Sequence, residues 1–239
     1  MLTISKVKDF QTDLEISKIQ DLKRIRYTTS HPKDFTQDLI NVHAECEKLM
    51  PLIHLPVQSG SNKILKAMNR KHTIEEYLGI IEKLNKVNSS IKFSSDFIIA
   101  YPGETLEDYK LTEKLIKNVE YVNSYSFVFS ARPGTPAFKL KKINQSEAKK
   151  RLVSFQSIAE KIKTKYRKTL VGKISNVLFE NKTKDGNKYF GRDEYSNSVI
   201  VKSNESLVGK IKKVKIISGN HNTLYGEIPF KFKQNNYAA

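Results

Sequence analysis

Cysteine is almost missing: Cys46 is the single one in 239 residues. No intrachain disulfide can form, and these residues cannot build a cysteine cage for a metal. Long apolar runs are missing too. No window approaches the roughly eighteen apolar residues that a bilayer-spanning helix needs, and the N-terminal MLTISKVKDF lacks the apolar core and small-residue cleavage site of a signal peptide. The expectation is a cytoplasmic protein without a membrane partner. There is no P-loop, no Gly-x-Gly-x-x-Gly run and no nucleophile elbow. His31, His43, His54, His72 and His221 are scattered, none at metal-ligand spacing.

Acidic residues are scarce in only one part of the chain. Residues 1–138 carry 19 Lys+Arg against 17 Asp+Glu, while residues 139–239 carry 23 against 8, so nearly all of the net +17 lies in the second part. A lysine-biased composition would raise both parts together. The asymmetry points to a polyanion-binding region, with nucleic acid as the first candidate.

What is present comes as alternating patterns. Residues 7–22 place Val7, Phe10, Leu14, Ile19 and Leu22 near helical spacing, and RIRYTTSHP (24–32) follows as a strand stopped by Pro32. A helix fits 34–49. The run HLPVQSGS (54–61) starts like a buried strand and ends like a cradle for a phosphate or sugar. A short helix with Ile64, Leu65 and Met68 comes next. Thr73 with Glu76 forms a capping box ahead of a helix bearing Tyr77, Ile80, Leu84 and Val87. The strand IKFSSDFIIA (91–100) runs into YPGE, Thr105 with Asp108 suggests another N-cap, and SYSFVFS (124–130) ends in ARPGTPA. Four βα units joined by crossovers imply parallel strands whose C-terminal ends lie together, the edge where such sheets bind ligands. The strand edge at 24–30 is expected to be exposed, a liability for pairing with another segment.

Beyond Pro136 the pattern changes. Ser146 can cap a long helix with a stripe of Leu152, Phe155, Ala159, Ile162, Tyr166 and Leu170 among many lysines. Five short β-patterned runs in 173–230, separated by turns, suggest a small closed barrel. Phe179, Tyr189, Phe190 and Tyr195 lie among Lys173, Lys182, Lys184, Lys188 and Arg192, a mixture that stacks on bases and neutralises phosphates, although about half of those rings belong to packing.

Single residues are more ambiguous. His54 alternates with Pro56 and Gln58 and reads first as a hydrogen-bonded core histidine. Asp96 inside an apolar strand needs partners, either internal or on a ligand. Glu104 is a first-turn helix anion or a receptor for a ribose or amino group. Arg132, after what reads as a buried strand, is a candidate carboxylate clamp. No residue stands out as catalytic, and none as a metal ligand.

Taken in order, RIRYTTSHP, HLPVQSGSNKILKAMNRKHT, SSDFIIAYPGET and SYSFVFSARPGTPA, followed by a small basic β-domain, resemble the C-terminal part of the radical-SAM tRNA methylthiotransferases, MiaB type. The likeness runs from about residue 5 to residue 230. TTSHP, QSGS and NRKHT favour the tRNA branch over the ribosomal-protein methylthiotransferase branch. The resemblance implies an α/β fold: the C-terminal portion of a radical-SAM (βα)6 partial barrel, then a small all-β, OB-like TRAM barrel. Residues 1–167 would carry the third to sixth strands with a connecting basic helix at 146–171, residues 168–232 the TRAM domain, and 233–239 a disordered tail. It also implies that Gln58, Ser59, Ser95, Asp96, Phe129 and Arg132 bind S-adenosylmethionine. Lys173, Lys182, Lys184, Lys188, Tyr189 and Arg192 would bind RNA, the anticodon stem-loop of a tRNA. Where the family has glycine, this chain has Ala100, whose methyl crowds the cofactor.

The family carries two 4Fe-4S clusters on upstream cysteines, and Cys46 cannot replace six thiolates. The expectation is therefore a monomeric chain that does not cleave S-adenosylmethionine alone and works with a cluster-bearing N-terminal segment. The alternative from another class is a non-catalytic RNA-binding protein.

Overall fold

The computed structural model describes residues 2–4, 15–28, 31–184 and 186–229. The chain divides into two compact units, Met1–Thr164 and Lys165–Ala239. The expected tail at 233–239 and most of the expected helix at 7–22 lie outside the described residues.

In the first unit five parallel strands alternate with helices. The strands are β1 (Leu2–Ile4), β2 (Ile25–Tyr27), β3 (Leu52–His54), β4 (Lys92–Ile99) and β5 (Asn123–Val128). β1 pairs with β2, and β3, β4 and β5 form a sheet in that order. Parallel bridges Ile25 to Leu49 and Thr28 to His54 continue the series between β2 and β3. One strand more is present than the pattern suggests, and it corrects the expected exposed edge: Leu2–Ile4 lies along 25–27.

The helices are α1 (Gln37–Glu45), α2 (Asn62–Ala67), α3 (Ile74–Val87), α4 (Leu106–Val119) and α5 (Gln145–Leu170). Both anticipated capping boxes are present, Thr73 with Glu76 on α3 and Thr105 with Asp108 on α4, each satisfying backbone N–H groups that the first turn leaves open. The start of α5 differs from the reading. Asn144, not Ser146, ends the chain's turn into the helix: its side-chain oxygen accepts from Ser146 N (2.9 Å) and Ser146 Oγ (2.7 Å), and its carbonyl accepts from Ala148 N (2.9 Å).

Strand alternation decides what faces what. Phe93, Phe97 and Ile99 of β4 join the helix-side core, where the Phe97 ring lies 5.5 Å from Tyr121 and 4.8 Å from Phe155. Fully burying a side chain of that kind contributes about 1.5–3 kcal/mol. Ser94, Asp96 and Ile98 lie on the other face with His54 and, by register, Tyr125 and Phe127 of β5. The apolar pattern of β5 implies a buried strand; instead Tyr125 is 49% and Phe127 59% exposed.

The second unit is the expected closed barrel of five strands: β6 (Ile174–Lys182), β7 (Lys188–Arg192), β8 (Ser198–Lys202), β9 (Ile211–Gly219) and β10 (Thr223–Glu227), ordered β10-β8-β7-β6-β9 and closed by β9 on β10. Val177, Phe179, Tyr189, Val199, Val201, Val214, Ile216 and Leu224 fill it. The barrel is too narrow for a side chain at Gly191, whose added Cβ would stand 2.5 Å from the Leu178 carbonyl oxygen. Between β7 and β8, buried Asp193 accepts from Tyr195 N (2.9 Å), Asn197 N (2.8 Å) and Asn197 Nδ2 (2.9 Å), which fixes the turn. Burial nevertheless raises its pKa to about 6.

Candidate functional site

The C-terminal ends of β3, β4 and β5 gather most of the residues singled out in the first unit. Gln58 extends the pairing beyond β3, its N–H donating to the Asp96 carbonyl (2.9 Å) and its carbonyl accepting from Ile98 N (2.9 Å). It does so at φ +75°, and Ala100, just past β4, sits at φ +61°. Such left-handed backbone costs a residue with a Cβ roughly 1–2 kcal/mol, so two strained positions flank the sheet end. At Ala100 this supplies a backbone reason for a glycine preference, separate from crowding a ligand.

The serines of the stretch are engaged elsewhere. Ser95 points to the helix side, where its hydroxyl donates to the Leu55 carbonyl (2.8 Å) and accepts from Val57 N (3.0 Å). Tyr77 donates to the same carbonyl (3.0 Å) and accepts from Tyr121 (2.9 Å), and burial pushes both phenols upward in pKa. Ser59 is fully buried, with its Oγ 3.3 Å from Thr112 Oγ1 of α4, and Ser61 caps α2 while donating to Asp108 (2.7 Å). Gly60 explains the closeness: an added Cβ would lie 2.5 Å from the Leu111 carbonyl oxygen and 2.6 Å from Thr112 Cα. QSGS is thus a packing joint between β3 and α4, not an open cradle.

Asp108 is the hub of that joint. It also accepts from Lys63 Nζ (2.8 Å), Thr105 N (2.9 Å) and Thr105 Oγ1 (3.0 Å). Burial alone would raise its pKa, but the bonds from Lys63, Thr105 and Ser61 outweigh it and hold the carboxyl well below the usual range.

Glu104 is internal as well. Its side chain is 1% exposed, accepts from Ala100 N (3.1 Å) and pairs with Arg151 Nη1 (3.0 Å); Arg151 further bonds the Glu104 carbonyl (3.1 Å) and Glu147 (2.9 Å). Burial still raises the Glu104 pKa against that pairing. The helix-turn role, not the ribose role, describes it.

What stays accessible lies on the face away from the helices. The Asp96 side chain is 34% exposed, with Oδ2 3.4 Å from His54 Nε2, and His54 Nδ1 pairs with Ser94 Oγ at 2.9 Å. His54 is therefore hydrogen-bonded, as the sequence leads one to expect, yet it borders the open carboxylate. The Tyr125 ring stands edge-on to His54 at 6.4 Å. Phe129 is half-buried against Tyr101 (4.7 Å), with its N–H donating to the Ile99 carbonyl (2.9 Å), and Arg132 is exposed three residues on.

Arg70, His72 and His31, to which the sequence assigns no role, form a further interacting group. Burial lowers the Arg70 pKa and the Asp96 charge offsets part of that. The His72 ring meets His31 edge-on at 5.0 Å, and burial, then the neighbouring His31 and Arg70, lowers its pKa to about 4. The signal was NRKHT, a polar run between two helices that periodicity alone leaves as a loop.

In the second unit Lys173, Lys182, Lys184 and Lys188 are exposed and Arg192 is half-buried, with its guanidinium 5.4 Å from the centre of the Phe190 ring. Tyr189 corrects the reading: it is 4% exposed and belongs to the barrel core, so it cannot stack on a base.

Among the described residues no group of three His, Cys, Asp or Glu could hold a metal, and none of the helices is long and apolar enough to cross a membrane. Cys46 is buried at the end of α1.

Residues 5–116 match the Radical SAM superfamily and residues 168–228 the TRAM domain. The chain is 56% identical over 215 residues to tRNA-2-methylthio-N(6)-dimethylallyladenosine synthase of Pelagibacter ubique, covering 90% of this chain and 48% of that protein. The same-named protein of Wolbachia pipientis subsp. Culex pipiens is 49% identical over 88% of this chain and 49% of its own length. The chain thus spans about half the length of the curated relatives it matches. Among solved structures, coproporphyrinogen III oxidase (HemN) from Escherichia coli, a radical SAM enzyme, aligns over 78% of this chain and 51% of its own at TM-score 0.54 and 13% identity, a likeness of fold alone.

Proposed function

The chain belongs to the radical SAM tRNA methylthiotransferases of the MiaB type, about half of whose length it spans, and on that premise we propose that it supplies two parts of the methylthiolation of N(6)-isopentenyladenosine beside the anticodon of tRNA. The first part is the distal side of the S-adenosylmethionine pocket, and the second is the RNA-binding barrel. The observation behind this is one chain, 56% identical to such a synthase over 90% of its length, that joins a parallel sheet with an open polar strand end to a basic closed barrel.

Bound S-adenosylmethionine would supply the methyl group and the radical. The residues proposed to hold it are Asp96, whose open carboxylate suits a cationic or hydroxyl group, Gln58, strained and 6% exposed in the segment after β3, Phe129 and exposed Arg132, whose guanidinium suits a carboxylate. Ser59 and Ser95 act through the backbone they hold, as positioning residues. An iron–sulfur cluster does not fit these side chains, since one cysteine cannot furnish its thiolates. The chemistry then needs the cluster-bearing segment of the family, and the proposal takes the chain as cytoplasmic and monomeric.

Equilibrium dialysis with labelled S-adenosylmethionine tests the pocket: binding that weakens about tenfold in Asp96→Asn, the usual worth of a charged hydrogen bond, is expected. Absence of binding by the folded chain would refute it. The single cysteine favours one further reading, an RNA-binding protein without chemistry, and tRNA binding with no S-adenosylmethionine binding is the outcome that selects it. In either case tRNA affinity should fall steeply with salt, because lysine contacts release counterions.

A further inference from the structure

The second unit carries 15 Lys+Arg against 6 Asp+Glu in residues 165–239, yet charge alone does not say which face meets RNA or in what form. Strand phase and register do. On β7, β8 and β10 the side chains alternate strictly: Tyr189, Val199, Val201 and Leu224 are 4%, 0%, 1% and 0% exposed, while Phe190 and Ile200 are partly exposed and Tyr225 is 38% exposed. Phe190 is the cross-strand partner of Ile200, and Ile200 that of Tyr225. Directly paired residues on one face stand about 4.5–5.5 Å apart at Cβ. The three therefore form one continuous row across the outside of the barrel, an aromatic ring at each end and an aliphatic side chain between.

The charges beside this row are arranged, not scattered. Lys188 and Lys202, both exposed, are cross-strand partners one step along from Phe190 and Ile200 on the same face. Two ammonium groups set side by side on one face are placed to hold a phosphate lying across both. At the other flank Arg192 holds its guanidinium over the Phe190 ring at 5.4 Å, steadied by Glu180 at 3.4 Å, and a guanidinium plane is itself a surface on which bases stack.

An apolar row about 10 Å long by that spacing, bounded by cations, does not suit a duplex, whose bases are already stacked on each other. It suits bases that have left the stack. We propose that the outer face formed by Phe190, Ile200 and Tyr225 is a stacking platform for unpaired bases of RNA, with Lys188 and Lys202 holding the adjoining phosphates. The proposal deepens the RNA-binding reading above and rests on it.

The test uses the full chain and two RNAs, a stem-loop with an open loop of unpaired bases and a fully paired duplex of equal length, with affinity measured by fluorescence anisotropy. The unsubstituted chain should bind the stem-loop more tightly than the duplex. Phe190→Ala and Tyr225→Ala should each weaken stem-loop binding about tenfold, as loss of a stacking ring does, and leave duplex binding unchanged. Phe190→Leu keeps an apolar side chain in the barrel wall and should show the same selective loss. Lys188→Ala with Lys202→Ala should weaken both RNAs and lower the salt slope by about one per lysine. Unchanged stem-loop affinity in both ring variants would overturn the platform while leaving RNA binding standing. Equal loss on both RNAs would also overturn it, since the rings would then merely support the barrel. If the unsubstituted chain binds neither RNA, the RNA-binding reading falls, and the platform with it.

Discussion

Two glycines of the first unit should respond to alanine in opposite directions, and the size of the contrast follows from their surroundings. At Gly60 a new Cβ would stand 2.5 Å from the Leu111 carbonyl oxygen, 2.6 Å from Thr112 Cα and 2.7 Å from the Leu111 carbonyl carbon. All three are backbone atoms of α4, so no side-chain rotation relieves the contact; the QSGS segment and α4 must separate. Overpacking costs about 1–3 kcal/mol where side chains can yield, and here a separation also stretches the bond from Gly60 N to Thr112 Oγ1 (2.9 Å) and the one from Ser61 Oγ to Asp108 (2.7 Å). Each such bond is worth about 1 kcal/mol net. A loss of about 3–5 kcal/mol is expected for Gly60→Ala.

Gly79 lies within α3, and nothing stands within 4 Å of its added Cβ. Gly79→Ala should stabilise by about 0.5–1 kcal/mol, the helix-propensity difference. The assay is urea unfolding followed by tyrosine fluorescence and circular dichroism, each variant fitted for the first-unit transition, because two compact units need not unfold as one. Gly60→Ala within about 1 kcal/mol of the parent would refute the tight joint between β3 and α4.

Removing Arg151 should be severe: Arg151→Met leaves Glu104, 1% exposed, without its ion pair, at a cost of about 3–5 kcal/mol, readable as a lowered melting temperature. The double variant Arg151→Met with Glu104→Gln should recover part of that loss. The two units should also answer pH oppositely. Buried His43 has its pKa lowered by burial to about 4, so folding releases its proton, and the first unit should lose up to about 3 kcal/mol as pH falls from about 6.5 to about 4. Buried Asp193 has a pKa raised to about 6, so the folded form binds the extra proton, and the second unit should lose about 2–3 kcal/mol as pH rises from about 4 to about 6. Hydrogen exchange by mass spectrometry at the two pH values, corrected for intrinsic rates, separates the units; a trend in either unit opposite to the one given would contradict that unit's assignment.

The parts of this fold that were legible in the sequence are those decided within a few residues. Thr73 with Glu76 and Thr105 with Asp108 are pairs three residues apart, and the bonds they make need no distant partner. The fates of Ser59 and Ser95 were not legible, because Thr112 is 53 residues from the one and Leu55 40 from the other. Leu2–Ile4 was missed for a related reason: three residues are too few to show a period, and only pairing with β2 makes them a strand.

Tyr189 and Phe190 show the same limit at its sharpest. Composition identified an aromatic pair among lysines, but adjacent strand residues face opposite sides, so one of the two had to be core, and only register could say which. That register is displaced by an irregularity between Phe179 and Asn181 in the neighbouring strand, which breaks the simple count along β6. The unbroken pairing of β7 with β8 sets Tyr189 opposite buried Val201 and brings Phe190 into line with Ile200 and, through β10, with Tyr225. Tyr225 lies 35 residues beyond Phe190 by number, too far for any sequence window to join the two. A basic aromatic composition therefore points to the kind of partner, whereas the parity of a strand picks which ring can touch it; the substitution that matters is at 190, and the same change at 189 should cost folding instead.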